Sequence, residues 1–137
     1  VEPLARVLGE LGSEHVMVVH SEDGLDELSV GAPTHVAELR DGAMRSFVLD
    51  ACDLGFARAP VESITVDSPA ASLDVLRSVL SGNPGPPADI TVVNAAAAIY
   101  VSGIASNLEN GIDRARDSIA SGRATSVLDR LVAISNE

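Results

Sequence analysis

Four carboxylates fall between positions 22 and 27 of this chain: Glu22, Asp23, Asp26 and Glu27. They follow directly on the apolar run Val16-Met17-Val18-Val19 and on His20. A β-branched and apolar run without polar alternation predicts a strand buried on both faces, as in a parallel α/β sheet. Ligands of open α/β sheets bind just outside the carboxyl ends of such strands, which is where this acidic cluster lies. Two carboxylates about 6 Å apart in an effective dielectric of about 20 repel by about 3 kcal/mol. A hard, oxygen-seeking cation such as Mg2+ turns that repulsion into a binding site. The competing reading is a solvated acidic turn, which is a common surface feature.

Other chemistry is sparse. His20 has the type of a metal ligand, a proton donor or a strand-end residue that bonds backbone. His15 and His35 belong to no constellation. Asn94 stands among small and apolar residues, where a buried amide bonds a neighbouring segment. No zinc spacing and no nucleophile pattern is present. The chain also lacks a Gly-rich loop of the kind that grips phosphate through backbone N–H groups.

Gly24-Leu25-Asp26-Glu27, after a strand and a His, is followed by Thr34-His35-Val36-Ala37-Glu38-Leu39-Arg40-Asp41-Gly42. This succession resembles anthranilate phosphoribosyltransferase. Residues 49–60 (LDACDLGFARAP) are similar to that family's acidic Asp-Leu/Phe-Gly stretch. Residues 92–124 resemble its asparagine-alanine helix and the Glu-x-Gly helix after it.

The resemblance implies a mixed α/β fold: part of a mainly parallel sheet flanked by helices, of the nucleoside phosphorylase and phosphoribosyltransferase catalytic-domain type. It implies transfer of phosphoribose from phosphoribosyl pyrophosphate to anthranilate in tryptophan biosynthesis, by a cytoplasmic homodimer. Asp26 and Glu27 match the pair that holds Mg2+ on the pyrophosphate, whereas Glu22 and Asp23 fall on the solvated rim of the loop. No residue of this chain matches a catalytic group, a phosphate contact or the anthranilate site of the family. Ser21 departs from the pattern, where Gly usually follows the His; a left-handed backbone at Ser21 would cost about 1–2 kcal/mol. Related readings are a nucleoside phosphorylase, a transferase with another acceptor, and a non-catalytic piece that packs on an amino-terminal partner.

The net charge of −11 over 137 residues argues against nucleic-acid or anionic-membrane partners, both of which need basic surface. A single cysteine, Cys52, excludes a disulfide framework and fits a reducing compartment; its expected place is buried or half-buried. The longest apolar run, 90–105, is broken by Thr91, Asn94, Ser102 and Gly103 and is too short and polar to span a bilayer. The chain opens without Met inside a helical pattern. The resemblance implies that residues 1–137 are the carboxyl-terminal part of one catalytic domain, with an amino-terminal helical domain and a phosphate-binding half elsewhere.

The elements that must position the acidic loop follow from periodicity. Leu4, Val7, Leu8 and Leu11 recur at helical spacing, and Gly12 fits the cap beyond them. Residues 15–19 form the strand. Asp41-Gly42 between two alternating runs, 34–40 and 43–49, predicts a hairpin added antiparallel to the sheet. Ser68-Pro69 opens a helix that ends at Gly82, and residues 83–87 form a short loop. Ile90-Thr91-Val92-Val93 has strand propensity, but the alanine run after it favours helix. Ser106-x-x-Glu109 has capping-box form and starts another helix near Asn107. Within it, Gly111 costs about 1 kcal/mol against Ala, which the close approach of a neighbouring helix would explain. A last helix, 124–134, carries Val127, Leu128, Leu131 and Ile134 on one face.

Overall fold

A computed structural model describes residues 1–136. In chain order it contains helix α1 (Glu2–Glu10), strands β1 (His15–Ser21), β2 (Thr34–Arg40) and β3 (Ala43–Leu49), and helices α2 (Pro69–Leu80), α3 (Pro86–Val101), α4 (Leu108–Ala120) and α5 (Arg123–Ser135). Two short 3-10 turns, Ala51–Leu54 and Val61–Ser63, carry the chain from β3 toward α2. The class is α/β, with α1 packed on the sheet and α3 on its other face.

The sheet order is β1-β2-β3, and both pairings are antiparallel. The described strands are thus an antiparallel portion of a mixed α/β fold. The two-sided burial predicted for residues 16–19 falls instead on β2, because β2 is the central strand. Along β2, Val36, Ala37, Glu38 and Leu39 are all buried, whereas 16–19 on β1 are only half-buried. The hairpin between β2 and β3 turns at Asp41 (φ 51°) and Gly42 (φ 76°). Positive φ at both central residues matches the right-handed twist of the flanking strands, and the hairpin sets Glu38 directly opposite Arg45, while the β1 pairing places it opposite Met17.

Helix starts follow capping chemistry. The Ser68 hydroxyl accepts the Ala71 N–H at 3.2 Å, with Pro69 in the first turn. α3 begins at Pro86, before the strand-like quartet, because two prolines fit an N-terminal turn that needs no N–H from them. At α4 the cap is Asn107, which accepts the Asn110 N–H at 2.9 Å, so the Ser106 box is displaced by one residue. α3 and α4 pack closely. A Cβ at Gly111 would lie 2.5 Å from the Ala96 carbonyl oxygen, so only glycine permits this approach.

Two apolar stripes read from helical spacing are exposed. Leu4, Val7 and Leu11 on α1 lie on the open side; Ala5 is fully buried and Gly9 faces Leu39, so this small-residue face meets the sheet. Val127, Leu131 and Ile134 on α5 are likewise exposed. Cys52, expected to be at least half-buried, is exposed, because it sits on a 3-10 turn at the surface. The core gathers Leu28, Val30, Val36, Phe56, Val93 and Ile112, among others, between the sheet, α3 and α4.

Glu38 crosses this core as a charged residue that is 1% exposed. It accepts from the Tyr100 hydroxyl at 2.7 Å and from Arg45 Nε at 2.7 Å, and pairs with His15 Nε2 at 2.9 Å. Arg40 donates to the Tyr100 oxygen at 3.0 Å, and His15 stands edge-on to the Tyr100 ring at 4.8 Å. His15, which has no constellation in the sequence, belongs to this one. Burial alone would raise the Glu38 carboxyl, but hydrogen bonds from Tyr100, His15 and Arg45, with the Arg45 charge, hold it below its ordinary value.

Two measurements test this packing. Gly→Ala in a helix ordinarily gains about 1 kcal/mol. Gly111→Ala must instead push α3 from α4, and overpacking costs about 1–3 kcal/mol. The urea midpoint is expected to fall, and a rise would show that the interhelical spacing yields freely. Glu38, with its pKa depressed in the folded state, stabilises fully above the ordinary value of 4.5. That contribution fades as pH falls below 4.5 and through the lowered folded value. Glu38→Gln is expected to lower stability at neutral pH and to flatten the acid limb below pH 4.5. Parallel acid limbs in denaturant titrations would exclude this role.

Candidate functional site

The acidic loop joins β1 to β2. Ser21 is fully buried and still belongs to β1. Its N–H donates to the Leu25 carbonyl at 3.0 Å and its hydroxyl to the Pro33 carbonyl at 3.3 Å. Among the described non-glycine residues only Asp41 has positive φ, so Ser21 stands in place of the family's Gly without backbone strain. The tight turn is taken at Gly24, whose N–H reaches the Ser21 carbonyl at 3.0 Å.

Asp23 is not a solvated rim residue. Its carboxylate accepts the Ser29 hydroxyl at 2.6 Å and the Leu25 N–H at 3.4 Å. Burial would raise its pKa, but these bonds, led by Ser29, outweigh burial and hold it low. The Ser29 oxygen accepts the Gly31 N–H at 2.8 Å, so Asp23 braces the loop from within. The sequence signal for this was Asp followed by Gly, since Asp bonds the backbone two residues on in such turns. Glu22 is exposed and faces His35 at 3.4 Å. His20 is exposed at the end of the strand.

Asp26 and Glu27 are both exposed, and no hydrogen bond or ion pair among the described residues engages their carboxylates. They occupy a two-residue span between anchored neighbours. On one side Leu25 is held to Ser21. On the other, Leu28 is 1% exposed, and its backbone meets the Asn94 side chain of α3. The Leu28 N–H donates to Asn94 Oδ1 at 2.9 Å, and Asn94 Nδ2 donates to the Leu28 carbonyl at 2.8 Å and to the Ile90 carbonyl at 2.9 Å. The amide read from the sequence as buried and bonded to a neighbouring segment is bonded to the acidic loop, but is only half-buried. Beyond it, the Ser29 N–H donates to Thr34 Oγ1 at 3.2 Å, and the Ala59 N–H donates to the Val30 carbonyl at 3.1 Å.

Among the described residues no three His, Cys, Asp or Glu side chains gather into a metal cluster. The donor set at the loop is therefore two unengaged carboxylates. That set fits Mg2+, which is commonly held by one or two carboxylates while water and substrate phosphates fill its octahedron. It does not fit structural zinc, which requires four protein ligands. No helix among the described residues is long and apolar enough to cross a membrane.

Comparisons with known proteins agree on one lineage. Anthranilate phosphoribosyltransferase of Thioalkalivibrio sulfidiphilus is 53% identical over 133 residues, covering 97% of this chain and 39% of that protein. The crystal structure of anthranilate phosphoribosyltransferase from Thermus thermophilus superposes with a TM-score of 0.87 at 34% identity, covering 98% of this chain and 40% of that one. The Saccharomyces cerevisiae enzyme, solved in complex with PRPP and Mg, superposes with a TM-score of 0.75 at 26% identity, covering 84% of this chain and 33% of that one. The chain thus spans about two fifths of the length of the curated relatives it matches. The family model described as glycosyl transferase family, a/b domain, matches residues 1–125. The chain belongs to this glycosyl transferase family, within its α/β domain.

Proposed function

We propose that residues 1–137 are the carboxyl-terminal part of the catalytic domain of an anthranilate phosphoribosyltransferase. In this reading Asp26 and Glu27 hold the Mg2+ that accompanies phosphoribosyl pyrophosphate. The observation that carries it is the exposed, unengaged Asp26-Glu27 pair between two anchored leucines. Support comes from the names of relatives up to 53% identical and from the yeast relative described with PRPP and Mg. The homodimer and cytoplasmic location implied by the resemblance belong to the same proposal.

The chemistry assigned to this chain is positioning and charge control. When bound, Mg2+ neutralises the pyrophosphate and orients it as a leaving group. Asp26 and Glu27 fix the cation at the end of β1. The bonds of Leu25 and Leu28 keep the pair from retracting, so charge stabilisation is organised before substrate arrives. Phosphate grip and recognition of the anthranilate acceptor belong to the remainder of the longer protein.

Two outcomes test this. In the full-length enzyme, Asp26→Asn with Glu27→Gln is expected to raise the Mg2+ concentration for half-maximal turnover by at least about tenfold and to reduce kcat strongly. An unchanged Mg2+ dependence would refute the assignment. Residues 1–137 alone, assayed with phosphoribosyl pyrophosphate, anthranilate and Mg2+, are expected to show no transfer. Turnover approaching that of the full-length enzyme would place the phosphate grip within this segment.

A further inference from the structure

We infer that Asn94 is the positioning residue for the metal-binding dipeptide, acting through the backbone of Leu28. The inference rests on the assignment of Mg2+ to Asp26 and Glu27 and adds a residue on a different element, 66 positions away in sequence. Its basis is geometric. Asn94 meets both backbone polar groups of Leu28, accepting at 2.9 Å and donating at 2.8 Å, as a neighbouring strand would. Leu28 directly follows Glu27, so this clamp fixes where the dipeptide ends. A third bond, to the Ile90 carbonyl at 2.9 Å, locks the amide on its own helix and leaves one orientation for it.

The side chain is chosen by its chemistry. Aspartate has the same shape but no donor, so it would face the Leu28 and Ile90 carbonyls with a second acceptor oxygen. Alanine leaves the Leu28 N–H and C=O without a partner beside the buried Leu28 side chain. Either change frees the carboxyl end of the span while Leu25 still holds its start. The two carboxylates then sample many separations, and a cation must order them on binding.

A structural role alone would loosen α3 on the sheet without touching the metal. Tyr100 supplies the control, because it joins the same helix to Glu38 on β2, not to the acidic loop. In the full-length enzyme, Asn94→Ala and Asn94→Asp are each expected to raise the half-saturating Mg2+ concentration by about tenfold. Mn2+ binding in the presence of phosphoribosyl pyrophosphate, followed by electron paramagnetic resonance without turnover, is expected to weaken in parallel. Tyr100→Phe is expected to lower stability and leave both metal readouts within twofold of the parent. Added to Asp26→Asn with Glu27→Gln, Asn94→Ala is expected to weaken metal binding no further, since nothing remains to position. The inference is overturned if the Asn94 variants keep the parent's metal dependence while the carboxylate variant loses it. It is equally overturned if Tyr100→Phe shifts the metal readouts as far as Asn94→Ala does. If the carboxylate variant also keeps the parent's dependence, the metal assignment itself fails, and the positioning role with it.

Discussion

A carboxylate with 1% exposure holds this fold in register. Glu38 lies on the central of the three described strands, and its partners come from three different elements: His15 from β1, Arg45 from β3 and Tyr100 from α3. A buried charge left without donors costs several kcal/mol, so any slip of β1, β3 or α3 would carry that cost. The apolar core alone has no such selectivity. It is built from alanine, valine, leucine and isoleucine with few aromatics, and such a surface could slide. The polar network makes one arrangement of strands and helix preferable to its neighbours.

That arrangement reaches the acidic loop through α3. Asn94 and Tyr100 are six residues apart on this helix, about 9 Å along its axis. Tyr100 ties the helix to Glu38 on β2, and Asn94 separately ties it to Leu28 in the loop. Asp23 braces the other half of the loop through Ser29. The exposed dipeptide is therefore an unengaged span between anchored backbone at Leu25 and Leu28.

How much of this was legible in the sequence depended on the range of the cause. The Asp41-Gly42 hairpin, the Ser68 cap and the tight packing at Gly111 rest on local chemistry or on the absence of a side chain, and each could be read directly. Asn94 was readable as a buried amide, but its partner was not. The Glu38 network stayed hidden because His15 and Tyr100 lie 23 and 62 positions away. Part of it was within reach: counting back from Asp41-Gly42 places Arg45 opposite Glu38, an ion pair across a hairpin. Two-sided burial falls on β2 rather than on residues 16–19 among the described strands, because periodicity reports burial, not which neighbours a strand finds. The stripes on α1 and α5 lie open for a related reason. An amphipathic pattern says that a face is apolar, not that this chain covers it.

The separation of these contacts along the chain also orders its assembly. The hairpin pairs near neighbours across a two-residue turn, a step of about 1–10 μs, and it brings Glu38 and Arg45 together early. The Leu28–Asn94 bonds instead close a 66-residue loop, whose entropy must be overcome before any contact rewards it. A chain with β2 and β3 paired but α3 undocked would carry Asp26 and Glu27 without the Leu28 anchor. The geometry of the dipeptide thus depends on a contact of far longer range than the hairpin beside it.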